Sequence, residues 1–186
     1  MNDNQLYTLI LQVLNAQLAD VGLAGTVIVK AYQPVRQGVE ASPGYEPTRS
    51  GYLTKLTDTR DGSPREAYVW DEVNQVETRT QTTVIHSTFQ LTTLAVQVPG
   101  NTTQLTASDV ANLLSAVLQN QYTIHLFQQQ GVGILNITDI RNPYFIDDRN
   151  NYEASANFDF VLVHNQVLTK SVSYTDTVTV TLLPVQ

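Results

Sequence analysis

Residues able to carry out chemistry are few in this sequence, and their spacing matches none of the usual catalytic motifs. The three histidines, His86, His125 and His164, fall in different predicted elements, and none belongs to an i, i+4 pair or an HExxH sequence of the kind that binds zinc. No serine lies in a Gly-x-Ser-x-Gly elbow and there is no cysteine, so acyl transfer lacks a recognisable nucleophile. The sequence predicts packed or surface histidines and no enzyme activity.

Acidic residues and glycines also lack the spacing of a metal or phosphate site. The run at 147–153 has oxygen ligands but lacks the loop glycine of an EF-hand, which favours a solvated turn over a calcium site. Gly131 and Gly133 precede a strand rather than a helix, so they favour a turn over a phosphate cradle. Asp71 and Glu72 are adjacent, which on a strand points them to opposite faces. We therefore expect no metal and no cofactor.

Composition limits the class of protein and its partners. The chain has 186 residues, 42% of them hydrophobic, which suits a single domain spanning 1–186. A formal net charge of -7, with only 10 scattered basic residues, argues against binding nucleic acid through its phosphates. The absence of cysteine excludes disulfides and thiolate zinc sites and suits a reducing cytosol. Neither a signal peptide nor a stretch of membrane-spanning length is recognisable, so we expect no membrane partner.

Apolar periodicity predicts two amphipathic helices. Residues 2–21 place their leucine, isoleucine and valine side chains at three- and four-residue steps, and Gly22 and Gly25 then end the helix. Thr106 and Asp109 form a variant capping box in front of a second pattern of the same kind. Each helix is expected to bury one face.

Segments rich in β-branched residues predict a sheet. Strands are predicted at 26–31 and 131–137, and at 74–98 as one long or bent strand because that run holds neither glycine nor proline. Alternating apolar residues predict two further strands, 154–163 and 172–182, joined by a turn at 164–166 into a terminal antiparallel hairpin.

A second hairpin is predicted in the middle of the chain. Its strands are 52–57 and 67–70, and the turn is 58–64, where an Asp-Gly pair and a proline supply turn chemistry. Trp70 is either a core anchor or an interface anchor, and we favour the core. Two helices among many adjacent strands predict an α+β fold, a mainly antiparallel β-sheet with both helices packed on one face.

A long exposed loop is predicted at about 33–49. It is rich in proline and glycine and carries Tyr45 between two arginines, a composition that suits a loop ordered by a neighbouring subunit as well as a floppy loop. We nominate this loop and the turn at 58–65 as parts of an interface. The nominated residues are Pro34, Arg36, Tyr45, Arg49, Arg60 and Arg65.

The order of these elements resembles that of the tail or neck terminator proteins of tailed bacteriophages. The resemblance covers most of the chain: an N-terminal helix, a strand leading into a proline-bearing loop, a long strand, the helix at 109–118, and a segment led by Gly131 before the final strands. The family often has a denser Pro-x-Pro-Tyr type of segment after the first strand. Here that region, 32–47, is longer and looser, which leaves the subfamily open.

The resemblance implies a structural virion protein, assembled in the host cytoplasm, that forms a ring closing the tail tube and joining it to the head connector. Its partners would be further copies of itself, as a homo-hexamer, with tail-tube and head-connector proteins on either side. DNA would pass through the acidic ring without specific binding, because like charge repels phosphates. The alternatives are another connector or tail-tube subunit, and a monomeric carbohydrate-binding module that stacks aromatic side chains on sugar rings.

Overall fold

Three helices and six strands make up the part of the chain that the computed structural model describes, residues 1–30, 49–95, 102–146 and 152–173. The helices are α1 (Asp3–Gln17), α2 (Ala107–Gln119) and α3 (Gln121–Gln129). The strands are β1 (Val27–Lys30), β2 (Arg49–Asp71), β3 (Val76–Ala95), β4 (Val132–Ile137), β5 (Tyr144–Ile146) and β6 (Tyr152–Ser173). The predicted α+β class is confirmed.

The strands form a mainly antiparallel sheet in the order β1-β2-β3-β6-β4, with β5 paired to one end of β6. Only the pairing of β1 with β2 is parallel among the described strands. Three strands are much longer than the rest: β2 has 23 residues, β3 has 20 and β6 has 22. β3 lies between the other two along most of its length, so these three strands extend past the edge of the remaining sheet.

The hairpin predicted at 52–57 and 67–70 is wrong, because both segments belong to the single strand β2. The Asp61-Gly62 turn signal instead produces a register shift between Asp61 and Arg65, with Gly62 at a φ of 68°. An extra loop of backbone on one strand is a bulge, and the ladder resumes beyond it. The chain reverses later, at 72–75.

β6 likewise continues through the turn predicted at 164–166. Asn165 and Gln166 pair with Val84 and Thr83 of β3 without a register shift. Polar residues are accommodated here because residues 165–171 are all exposed. The long strand predicted at 74–98 is confirmed as β3. Residues 33–48 of the loop predicted at 33–49 lie outside the described residues. Residues 174–182 of the strand predicted at 172–182 lie outside them too.

The core lies between the helices and one face of the sheet, as predicted. Phe89 of β3 pairs with Phe160 of β6, Leu91 pairs with Phe158, and all four side chains are fully buried against the helices. The rings of Phe89 and Phe160 stack at 5.7 Å between centroids, and Tyr7 of α1 meets Phe89 edge-on at 5.4 Å.

The two predicted helices are confirmed, and a third one was missed. α2 is capped as the sequence indicates: the backbone N–H of Asp109 donates to Thr106 Oγ1 at 3.2 Å, and Thr106 N–H donates back to Asp109 Oδ2 at 2.9 Å. The missed helix, α3, buries only Thr123 and Phe127, one turn apart. So short an apolar stripe, in a segment rich in glutamine, gives little periodic signal.

A side chain of α1 closes the outer edge of β1. Asn15 Oδ1 accepts the backbone N–H of Ile28 at 3.1 Å, and Asn15 Nδ2 donates to the carbonyl of Ile28 at 3.1 Å. The side-chain amide therefore takes the place of a neighbouring strand, and this end of the sheet is protected from pairing with another chain.

Substitution of Asn15 by alanine is expected to destabilise the fold by about 1 kcal/mol, because both backbone groups of Ile28 lose their partner. Urea unfolding followed by circular dichroism measures the change. Gln12→Ala, on an exposed position of the same helix, is the matched control. Equal effects of the two substitutions would contradict the bridging role of Asn15.

Candidate interaction surface

Beyond the helices, the three long strands form a projecting ribbon, which we call the arm: residues 65–82 of β2, β3 and their turn, with residues 165–173 of β6. Every residue of β2 from 56 to 70 is exposed, so in this region both faces of the strand are uncovered. Nine positions separate Ile85, the last buried core residue of β3, from Val76 at the tip, which is about 30 Å of strand. The arm is therefore an extended surface that the body of the domain does not use.

The turn at the tip is fixed by Asp71. Its Oδ1 accepts the backbone N–H groups of Val73 at 3.0 Å and Asn74 at 3.1 Å, while Asn74 Nδ2 donates to Oδ2 at 2.7 Å. These hydrogen bonds from Asn74 and Val73 hold the pKa of Asp71 below its usual value. Gln75 completes the turn with a φ of 52°. An aspartate that binds the backbone two and three residues ahead is a local turn device, so the tip has a defined shape.

One face of the arm, on the side of the helices, is charged and aromatic. Cross-strand pairing puts Tyr68, Arg79 and Lys170 in one row and Trp70, Glu77 and Val172 in the next. The guanidinium of Arg79 lies over the Tyr68 ring at 5.3 Å and bonds Glu77 at 3.2 Å. The Tyr68 hydroxyl donates to Glu66, and this bond together with the Glu66 charge raises the pKa of the phenol. We call this the aromatic face.

Between Arg65 and Asp71, the opposite face is made of small, β-branched or hydroxyl side chains. Its rows are Ala67 with Thr80 and Thr169, and Val69 with Thr78 and Ser171. None of these side chains carries a charge. Such a face suits close packing against another surface, and the two faces of the arm thus differ in chemistry.

Exposed apolar side chains concentrate on the arm. Trp70 is 46% exposed, so the prediction that it lies in the core is wrong: the helices end before the sheet reaches it. A concentration of large exposed apolar side chains is typical of an interaction surface. The other exposed apolar residues of the arm, which lie on both of its faces and at its tip, are Tyr68, Val69, Val73, Val167 and Leu168.

A chain of polar contacts fastens the base of the arm to the body. Lys55 Nζ lies 2.6 Å from Asp3 of α1 and 2.6 Å from Asp58 of β2. Ser87 Oγ donates to Asp58 Oδ1 at 2.6 Å, and His164 Nε2 lies 3.1 Å from the same hydroxyl. The network joins α1 to all three long strands where the arm begins, so it sets the direction in which the arm leaves the body.

The charges of this network stabilise one another. Burial alone would raise the pKa of Asp58, but hydrogen bonds from Lys55 and Ser87 outweigh it and lower the pKa. Burial alone would lower the pKa of Lys55, but hydrogen bonds to Asp3 and Asp58 outweigh it and raise the pKa. Both groups are therefore charged at neutral pH. Together with Arg60, His164 and the N-terminal residues, Asp58 lines an open depression of ≈ 570 Å³.

Asp58, Ser87 and His164 are the residue types of a hydrolase triad, but their order differs. In a triad the histidine lies between serine and carboxylate and takes the serine proton. Here Ser87 lies in the middle and gives its proton to Asp58, so its oxygen accepts from His164. Ser87 is also completely buried. The geometry fits a structural tie, which no local pattern in the sequence reveals because the three residues come from three separate strands.

Protonation of His164 is expected to weaken the fold. Burial, and then the positive N-terminal ammonium, lower the pKa of His164, whereas Asp58 opposes them and Lys55 adds to them. Between the folded pKa and the unfolded value of about 6.5, the unfolded chain binds more protons. The free energy of unfolding should therefore fall as the pH is lowered from 7 to 5. Gln at this position keeps a donor near Nε2 without titrating.

Urea unfolding of wild type and His164→Gln at pH 7 and pH 5 tests this. The wild type should lose more stability than the variant over that interval. The other two histidines are common to both proteins, so the difference isolates His164. A parallel loss in both proteins would assign the pH dependence elsewhere.

The structure places three of the six nominated interface residues. Arg49 begins β2, and its Nη2 donates to the carbonyl of Ala24 at 3.0 Å, which ties it to the turn before β1. Arg60 lines the depression at the base of the arm, and Arg65 lies on the arm itself, on the opposite face. These three do not form one patch. Pro34, Arg36 and Tyr45 lie outside the described residues.

The described ranges contain no cluster of three His, Asp or Glu side chains arranged to hold a metal ion. No helix within them has the length and apolar character needed to cross a membrane.

Comparison with known proteins identifies the family. A family model described as E217 gateway protein gp29 matches residues 5–174, which is most of the chain and includes all the described strands and all but the first two residues of the described helices. No curated protein matches the chain. On the strength of that near full-length match, the chain belongs to the E217 gateway protein gp29 family, a family of bacteriophage structural proteins.

Proposed function

We propose that this protein is the ring-forming subunit that closes the tail tube of a tailed phage and joins it to the head connector. The observation that carries the proposal is the arm, which exposes apolar side chains on a three-stranded extension about 30 Å long. A ribbon uncovered on both faces gains stability by packing on something else. Membership of a phage gateway family makes a neighbouring virion subunit the natural partner.

Ring closure needs two different patches on each subunit, one fitting the other on the next copy. The arm supplies one patch of distinct chemistry, with an aromatic and a threonine-rich face. It also leaves the body in one direction, as a reaching contact between neighbours requires. We propose six copies, on the resemblance to terminator proteins, with DNA passing through an acidic channel and with assembly in the host cytoplasm.

The protein would act by contact alone, without catalysis. The buried serine network at the base of the arm supports this, because its hydroxyl is inaccessible and already donates to a carboxylate. The proposed partners are therefore further copies, tail-tube subunits and head-connector proteins.

Incubation of the purified protein with tail tubes, viewed by negative-stain electron microscopy, tests the proposal. A terminator caps one end of each tube and stops its growth, and the isolated protein or the cap shows a ring with a central hole. Tubes that lengthen by adding this protein would identify a tube subunit instead. Tubes that remain uncapped would overturn the proposal.

A further inference from the structure

The free edges of the described sheet differ in how well they are protected. β1 is closed by Asn15. Past β1, the edge of β2 is broken by register shifts after Lys55 and after Asp61, and it carries Pro64 and several charges. Bulges, proline and charge are the usual devices that prevent edge pairing. In β6, residues 165–173 contain no bulge and no proline, and Lys170 is their one charged residue. They pair with β3 without a register shift.

Backbone groups at odd positions of β6 point to this outer edge. Asn157 exchanges two hydrogen bonds of 2.8 Å with Arg141 on that side, and the carbonyl of Asp159 accepts Thr138 N–H there at 2.8 Å. The N-terminal ammonium caps the carbonyl of Asn165 at 3.0 Å, on the same side. Beyond it, within the part of the chain that the structure describes, residues 167, 169 and 171 offer donors and acceptors with no strand alongside.

We propose that this edge, residues 167–173 of β6, accepts residues 174–182 of a second copy of the chain as an added strand. Residues 174–186 lie outside the described residues, and they begin where β6 ends, at the arm tip. Their sequence alternates apolar and polar residues through Val178, Val180 and Leu182, the pattern of a strand. Nine residues of strand span about 30 Å, which is enough to cover the seven open positions at about 23 Å.

The sequence also favours a second copy over the same molecule. A return along its own β6 would need a tight turn directly after Ser173, where hairpins use Asn-Gly, Asp-Gly or a similar pair. The chain reads Tyr-Thr-Asp-Thr from 174, with no glycine or proline before Pro184. We therefore expect this segment to pair with a neighbouring copy rather than with its own β6.

Strand addition of this kind draws its affinity from main-chain hydrogen bonds and its specificity from alternate side chains. Val167 and Leu168, 54% and 59% exposed, flank the edge and would be covered by the incoming strand. Donor segment and acceptor edge are different parts of the chain, so successive copies associate head to tail. The inference rests on the proposed ring and names the contact that closes it.

Thr169→Pro tests the acceptor edge. Proline removes one outward N–H and blocks the approach of a strand, but leaves the ladder with β3 intact. Thr169→Val keeps the N–H and is the matched control. We expect light scattering to show rings for wild type and the valine variant and subunits of lower mass for the proline variant, all with the same circular dichroism. Rings formed by Thr169→Pro would overturn the inference while leaving the proposed function standing.

Cysteine cross-linking tests the donor segment without depending on rings, since the chain has no native cysteine. Thr169→Cys is mixed with Thr177→Cys, Thr179→Cys or Thr181→Cys at equal concentration and oxidised. A cross-linked heterodimer in at least one mixture is the expected result. A double variant that cross-links only within one molecule, or mixtures that yield no heterodimer, would overturn the inference. If wild type also fails to cap tubes, it is the proposed function that fails.

Discussion

Replacement of Tyr68 and Trp70 by serine is expected to convert rings into monomers. Both side chains lie on the aromatic face of the arm and are about half exposed, at 55% and 46%. An aromatic anchor at the centre of an interface contributes about 2 kcal/mol or more, so the loss of two weakens the contact by about 1000-fold. Light scattering across a concentration series, with images of the same samples, measures the change.

A double substitution off the arm separates this effect from a general loss of exposed apolar surface. Tyr122 of α3 and Leu135 of β4 are 57% and 60% exposed, and Tyr122→Ser with Leu135→Ser should assemble as wild type does. Neither double variant should change the free energy of unfolding by more than about 1 kcal/mol, since surface substitutions seldom do. Monomers from the control, with rings from the arm variant, would move the interface to the side of α3.

Phe89→Ala is expected to lower the free energy of unfolding by about 3–5 kcal/mol. The ring is fully buried, stacks on Phe160 and meets Tyr7 edge-on, so its removal leaves a cavity between the sheet and α1. A loss of this size is a large part of the total stability of a domain. Urea unfolding gives the change, with exposed Leu135→Ala as the control. A loss below about 1 kcal/mol would mean that the core repacks around the site.

Local signals in the sequence predicted the body of the fold well. The capping residues Thr106 and Asp109 and the apolar steps of α1 are short-range patterns, and they depend little on the rest of the chain. The α+β class followed from counting these elements. The prediction for β2 was wrong because it depended on a distant part of the chain. Asp61-Gly62 forms a turn when the strand ends there, but it forms a bulge when the partner strand continues beyond it.

The candidate interface was predicted only in part. Arg60 lies at the base of the arm and Arg65 lies on the arm. Trp70 was predicted to lie in the core, but it is exposed. Burial of a strand residue depends on how far the helices reach along the sheet, and no local pattern encodes that distance. The segments that form β2 and β3 are both long, and this length indicates that one end of the sheet is uncovered. Two long strands leave little chain to cover both of their ends.

The pairing of β3 with β6 also fixes when the arm is completed. Val76 near the tip pairs with Ser173, about 100 residues later in the chain. Contacts so distant in sequence form late, after the local helices and the β2–β3 hairpin. On the ribosome, the third strand of the arm is missing until residue 173 has been made, since synthesis proceeds from the N-terminus. Neighbouring nascent chains on one messenger RNA that have not yet reached residue 173 therefore lack the finished arm.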